Sequence, residues 1–265
     1  MGYTRHPSCN PPGTDDPDKI WRYMDFTQLV SLLENDELYF PRADSLEDPF
    51  EGSLPVSHKN NVREEIFNEK SVNWAVQHLP KFRKICRKFT FLSCWHMNRG
   101  ESAAMWDIYL KSNQGICIQS TIDDLIEGLN TEYNVYLSKV KYIDYTDAKI
   151  PGWTGLGDTI SPFIYKRESF KHESEVRAII HELPWHYSDE GGKITSEDIG
   201  DEDLEEGDYE SGKTVDVDLD RLINSIRVSP QAQPWVAELT EDVCETYGLG
   251  ADFVVDSPME REPYH

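Results

Sequence analysis

The sequence predicts a single α+β domain with a mixed, mostly antiparallel sheet and inserted helices. Three observations carry this expectation. Short β-rich runs and amphipathic helical stretches follow one another without a regular strand–helix–strand period, which argues against a doubly wound parallel sheet. No Gly-x-Gly-x-x-Gly follows a strand and no Walker sequence is present, so dinucleotide-binding and P-loop folds find no support. The run Lys171-His172-Glu173-Ser174-Glu175-Val176-Arg177-Ala178-Ile179-Ile180 alternates charged and apolar positions, the period of a strand.

The elements follow in chain order. Residues 1–18 are polar and rich in proline and aspartate, and read as a loose tail ahead of a domain over 19–265. Ile20-Trp21-Arg22-Tyr23-Met24 is a β-rich run. Asp25 is an N-cap with Gln28 three residues on, and Leu29, Leu32 and Leu33 form the apolar stripe of the helix. Leu38-Tyr39-Phe40 is a strand that Pro41 ends. A loop over 42–57 holds Asp48-Pro49-Phe50-Glu51-Gly52, in which Phe50 can anchor in the core. A helical insert over 61–87 is interrupted at Pro80.

Phe89 to Trp95 reads as a buried strand, Glu101 to Leu110 as a helix and Gly115 to Gln119 as a strand. Thr121 and Asp124 cap a helix bearing Leu125, Ile126 and Leu129. Val135 to Tyr145 is a strand, and Ile164 to Phe170 a helical turn feeding a strand over 173–181. Residues 187–213 are acidic and read as a solvated loop inside the domain. Ile223 to Val228 and Asp252 to Val255 are late strands, with a helix from Trp235 to Tyr247 between them.

Composition narrows the function. A chain of 265 residues can bury a substantial core, although 38% hydrophobic content and a mean hydropathy of −0.61 make that core lean. The net charge of −23 repels phosphates and acidic membranes, so broad nucleic-acid binding is disfavoured. It is expected to reflect a highly soluble or salt-adapted surface. The main basic run, Lys81, Arg83, Lys84, Arg87 and Lys88, is expected on a solvated helix face; its sharper reading is a contact for RNA or an acidic partner. Five cysteines without regular spacing predict reduced thiols in a cytoplasmic protein. No apolar run approaches the roughly 20 residues that span a membrane.

Candidate chemistry sits on a few residues. Glu173, Glu175 and Arg177 share one face of the expected strand, opposite Val176, Ala178 and Ile180. Charges there are costly unless paired or used. The structural alternative pairs Glu173 or Glu175 with Arg177, Arg22 or Lys166. Asp48 is either a loop staple bonding backbone amides or, with Glu51, a ligand contact. Trp21, Trp95, Trp106 and Tyr109 are core or cleft aromatics, one of which could stack on an adenine or nicotinamide ring. Cys94 with His96 lacks a third orienting group for a nucleophilic dyad. His181-Glu182 with His186 has the wrong spacing for a zinc helix.

Several stretches, in order, resemble a large prokaryotic family known as a domain of unknown function: Ile20-Trp21-Arg22-Tyr23, Asp48-Pro49-Phe50-Glu51, Ser93-Cys94-Trp95, Met105-Trp106 with Tyr109, Gly115-Ile116-Cys117-Ile118, Glu173-Ser174-Glu175-Val176-Arg177 and Val254-Val255-Asp256-Ser257. The likeness covers residues 20 to 257. The opening also resembles ADP-ribosyltransferase folds: a strand bearing Arg22, a short helix and a strand, then Ser93 on a middle strand and Glu173-x-Glu175 on a late one. Phe91-Leu92-Ser93-Cys94-Trp95 departs from that family's Ser-Thr-Ser.

The second resemblance implies NAD as substrate, cleaved at the nicotinamide–ribose bond, and a toxin or defence effector as the setting. Arg22 would hold phosphate through paired hydrogen bonds. Ser93 would support the nicotinamide ribose, Glu175 would stabilise an oxocarbenium-like transition state, and Glu173 would position the acceptor. Tyr23, Trp106, Tyr109 and Asp48 complete the expected nucleotide site. The alternatives are a non-catalytic ligand-binding or interaction module, and a metal-dependent nuclease on Asp48, Glu173 and Glu175. Arg177 stands where such a nuclease usually carries lysine.

Overall fold

The structure, a computed structural model, describes residues 2–55, 81–109, 114–148, 150, 158–183 and 209–260. The strands are β1 (Gly2–Tyr3), β2 (Lys19–Asp25), β3 (Glu37–Pro41), β4 (Thr90–Met97), β5 (Gly115–Thr121), β6 (Leu129–Asn130), β7 (Asn134–Lys139), β8 (Lys141–Ile143), β9 (Tyr165–Arg167), β10 (Glu175–His181), β11 (Gly212–Val217) and β12 (Ser225–Val228). The helices are α1 (Phe26–Asn35), α2 (Ala103–Tyr109), α3 (Ile122–Gly128), α4 (Leu219–Leu222) and α5 (Pro234–Thr246). Residues 81–88 are also helical.

Seven strands form the main sheet in the order β1-β7-β10-β4-β2-β5-β12. Every neighbouring pair is antiparallel except β1 with β7, so the α+β class and the mixed, mostly antiparallel sheet stand as expected. Strand alternation assigns the two faces. Ile20, Met24, Phe91, Trp95, Val176, Ala178 and Ile180 pack with Leu29, Leu32 and Leu33 of α1 and Val236 of α5. The opposite face carries two smaller clusters. One joins Leu92 and Ile179 to Phe82, Ile85 and Phe163; the other joins Trp21 and Tyr23 to Met105 and Trp106. A small sheet, β3-β11-β6, flanks the main one, and Leu38 and Phe40 of β3 belong to the first core.

The main sheet is forked at its centre. β4 pairs with β10 over seven residue pairs, and β2 with β5 over seven. β2 and β4 pair only at Ile20–Met97 and Trp21–His96. Beyond that point α1 and β3 follow from β2, and β3 reaches β4 again through a single bridge, Arg42–Phe91. The fork therefore opens at Arg22, where side chains of both sheet faces meet one space.

Local signals explain several elements. Gln28 Oε1 accepts from the Asp25 amide at 2.9 Å, as the capping pattern predicts, and Leu29, Leu32 and Leu33 are buried. Thr121 Oγ1 accepts from the Asp124 amide at 3.1 Å and starts α3.

Other expectations are corrected. The stretch before β2 is no loose tail. β1 extends the sheet beside β7, the Asn10 amide donates to Ser138 Oγ at 2.9 Å, and Lys139 pairs with Asp16 at 2.6 Å. Leu129 leaves the helix to pair in β6 with Val217. The acidic loop ends sooner than residue 213, because Gly212 and Lys213 already pair with β3; residues 187–208 and most of the 61–87 insert lie outside the described residues. Residues 251–253 form a 3-10 turn, and only Val254 bridges to Ile226. Phe50 is exposed, with the Arg167 guanidinium 4.5 Å from its ring centre, because Glu51 and not Phe50 turns inward. The basic run does not make a solvated face. Arg83 is buried on the Asp158 carbonyl, Lys88 covers the Tyr209 ring at 4.1 Å, and Lys84 alone of the five is exposed.

Candidate functional site

The fork holds a cleft of about 680 Å³, within the size range of small-molecule sites. Its lining includes Arg22, Tyr23, Asp48, Tyr109, Glu173 and Glu175, six of the sequence-predicted residues. Two others stand behind the wall. Ser93 is buried and accepts from Arg22 Nη1, and from Trp95 Nε1 at 3.0 Å. Trp106 packs edge-on to Tyr23 at 4.9 Å and donates to Glu101 at 3.1 Å, so it supports Tyr23 and offers no stacking face to a ligand.

Arg22 forms one prong of the fork. Alternation puts it on the Ile20–Met24 face, and there its guanidinium bonds Ser93 Oγ, bonds the Tyr39 carbonyl at 3.0 Å, and lies 5.7 Å from the Trp95 ring centre. Among the described residues no carboxylate pairs with it. Burial pulls its pKa below the ordinary arginine value, since nothing of opposite charge compensates the cation. An anion in the cleft would supply that charge.

The opposite prong is an acid cluster. Arg177 is fully buried and uses each of its five N–H donors. Nε donates to Glu175 Oε1 at 2.7 Å, and Nη2 to Glu175 Oε2 at 3.1 Å. Nη1 and Nη2 donate to the two oxygens of Glu51 at 2.6 and 2.8 Å, and Nη1 also to the Phe163 carbonyl at 2.6 Å. Lys166 bonds Glu173 Oε2 and lies 3.4 Å from Glu175 Oε2. Burial pushes the Glu175 carboxyl up, but Arg177 and Lys166 outweigh it and hold it down to about 2. Burial also raises Glu173, where Lys166 pulls down and Glu175 pushes up, and its carboxyl ends above the ordinary range. Glu175 is thus saturated, whereas Glu173 keeps one oxygen unbonded.

Glu173 is not on the strand that the alternation suggested. A 3-10 turn over Glu168–Glu173 precedes β10, and Ser174 adopts a left-handed conformation with φ of 41°. This kink takes Glu173 out of the strand and brings both carboxylates to the one Lys166 ammonium.

The remaining walls are aromatic and imidazole. Tyr109 lies 6.3 Å from Tyr23 with ring planes 23° apart, and it is exposed toward the cleft mouth. His96 Nδ1 donates to the Glu173 carbonyl at 2.6 Å, which ties β4 to the turn carrying Glu173. Sequence reasoning discounted His96 with Cys94 as a dyad. Burial and the Glu175 charge push the Cys94 thiol well above its ordinary value, so no thiolate nucleophile forms there. Asp48 lines the cleft, but its Oδ1 accepts from the Phe50 amide at 3.0 Å and pairs with Arg167 at 2.8 Å. It is the loop staple of the simpler reading. Among the described residues no group of three or more His, Cys, Asp or Glu side chains is placed to hold a metal ion.

The fold and site define an α+β domain with a ligand-sized cleft at a fork in its sheet, bounded by an unpaired guanidinium and a buried acid cluster. Comparison of the chain with protein-family models, with curated proteins and with solved structures gives no match. Among the described residues, no helix is long and apolar enough to cross a membrane.

Proposed function

We propose that the fork cleft binds a nucleotide through its phosphate and cleaves NAD at the nicotinamide–ribose bond, as the likeness of Arg22, Ser93 and Glu173-x-Glu175 to ADP-ribosyltransferases implies. Membership of the prokaryotic family that the ordered motifs resemble belongs to the same proposal. One observation carries it: a guanidinium without a carboxylate partner among the described residues, Arg22, opens on the same cleft as an incompletely bonded carboxylate, Glu173. Arg22 takes the phosphate, with Ser93 holding the guanidinium from behind. The C1′–N bond breaks with its electron pair leaving on nicotinamide. Glu173 stabilises the oxocarbenium-like ribose, and water or an acceptor attacks C1′ and gives up its proton to solvent. Glu175, assigned the catalytic role from sequence, becomes the residue that holds Lys166 beside Glu173.

A non-catalytic binding module is the second reading, favoured by the saturation of Glu175 on Arg177 and Lys166. Nicotinamide release from NAD, with calorimetry on the same protein, separates the two. The enzyme reading expects release by the wild type, a loss of about 3–4 kcal/mol of transition-state stabilisation in Glu173→Gln, and little change in NAD affinity. Binding without release with water or any tested acceptor selects the module. Neither binding nor release removes NAD altogether.

A further inference from the structure

The Asp48–Gly52 loop reaches the acid cluster through one side chain. Glu51 is buried, and both its oxygens are taken by Arg177. The loop is built to hold it there. The Glu51 amide donates to the Asp48 carbonyl at 3.0 Å, and Asp48 Oδ1 staples the Phe50 amide. Gly52 turns the chain at φ of 66°, where a Cβ would meet Phe163 Cε1 at 2.3 Å, so only glycine fits. The same Phe163 gives its carbonyl to Arg177 Nη1.

The cluster holds one more carboxylate than cations: Glu51, Glu173 and Glu175 against Lys166 and Arg177. Glu51 takes one edge of the guanidinium and Glu175 the other, which leaves Glu173 with only a share of Lys166. We propose that Glu51 is a positioning residue for the cleft: by fixing Arg177 it satisfies Glu175 and leaves the surplus negative charge on Glu173, the carboxylate with a free oxygen. This rests on the reading of Glu173 given above. The groups that face Glu173 are Lys166 of β9, Glu175 and Arg177 of β10, Tyr142 of β8, Tyr109 of α2, and the His96 and His172 imidazoles. Burial raises the Glu173 carboxyl in keeping with a charge that its neighbours do not fully balance.

Carboxyl titration by carbon NMR on protein labelled at the glutamate side-chain carboxyl tests this. In the wild type two glutamates should titrate above the ordinary range, Glu173 and the buried Glu51. Glu173→Gln should delete one of these resonances and Glu51→Gln the other. Glu51→Gln removes a negative charge, so Arg177 then serves the remaining acids and the Glu173 midpoint should fall by about one pH unit. Glu51→Asp keeps the charge and should restore the wild-type midpoint. A folded Glu51→Gln protein with an unmoved Glu173 midpoint overturns the proposal, since a merely structural Glu51 would lower the melting temperature and leave the titration alone. If Glu51→Gln does not fold, the Glu173→Gln titration decides: Glu51 alone should then titrate high, and two high-titrating resonances surviving there also overturn the proposal. Nicotinamide release is read on the same samples. No release from the wild type, with the midpoint shift intact, removes the NAD reading and leaves Glu51 in its role.

Discussion

Arg22 and Arg177 are the same residue type on strands of one sheet, separated by β4, and both line the same cleft. Arg177 meets two carboxylates and a carbonyl, which use every donor it has. Arg22 meets a hydroxyl, a carbonyl and an indole face, all neutral. A guanidinium on the central sheet, fully buried as in Arg177 or half-buried as in Arg22, is therefore no diagnosis of function; the charge of its partners is. A cation whose counter-charges come from the chain belongs to the fold. One left with dipoles alone costs free energy until an anion arrives.

The largest test of this contrast is Arg177→Ala. It leaves Glu51 and Glu175 buried without their partner, and should cost roughly 3–5 kcal/mol of stability, read by chemical denaturation. A loss under about 1 kcal/mol would mean that the clamp is dispensable. Acid titration of stability comes next. The Glu175 carboxyl is lower in the folded protein, near 2, than its unreacted value of 4.5, so its contribution is present above pH 4.5 and disappears as pH falls toward 2. The loss should be on the order of 3 kcal/mol across that window and should be missing from Glu175→Gln. Equal acid sensitivity in both proteins would break the assignment of the clamp. The smallest effect is expected from Arg22→Ala. Its folding stability should stay near wild type, while NAD affinity drops by about 1.5–3 kcal/mol, the worth of a charged hydrogen bond. A large fall in melting temperature with unchanged NAD affinity would make Arg22 a second Arg177.

Much of this contrast was legible in the sequence. The alternation from Glu175 to Ile180 set the charged and apolar faces of β10 correctly, and the pairing of Glu175 with Arg177 was among the structural alternatives. Asp25 with Gln28 marked α1 because capping is a local interaction. The fork was not legible, since the length of a strand pairing depends on what the partner chain does after its last rung. Ser174 gave no signal either. A left-handed serine is imposed by the packing on both sides of it, so Glu173 was placed on the strand. Glu51 was legible as a member of a proline–glycine loop that could face a ligand, but not as the partner of Arg177; its burial depends on Phe163 and Arg177, more than a hundred residues away. β1 is two residues long, and β7 decides that it forms at all.

The two rungs between β2 and β4 have a mechanical consequence. They join a slab of four strands, β1-β7-β10-β4, to a slab of three, β2-β5-β12. On both sides of the seam the ladders run over four to seven residue pairs, β1 apart; at the seam the ladder is two pairs long, Ile20–Met97 and Trp21–His96, with side bonds from Trp21 to the Asn98 carbonyl and from Arg22 to Ser93. The backbone ladder is thereby thinnest along one line near the centre of the sheet, and Arg22 and the Glu175 clamp stand on either side of it. A rotation about that line would change the separation of Arg22 from the acid cluster, and the first core, which packs side chains of both slabs, would have to take it up.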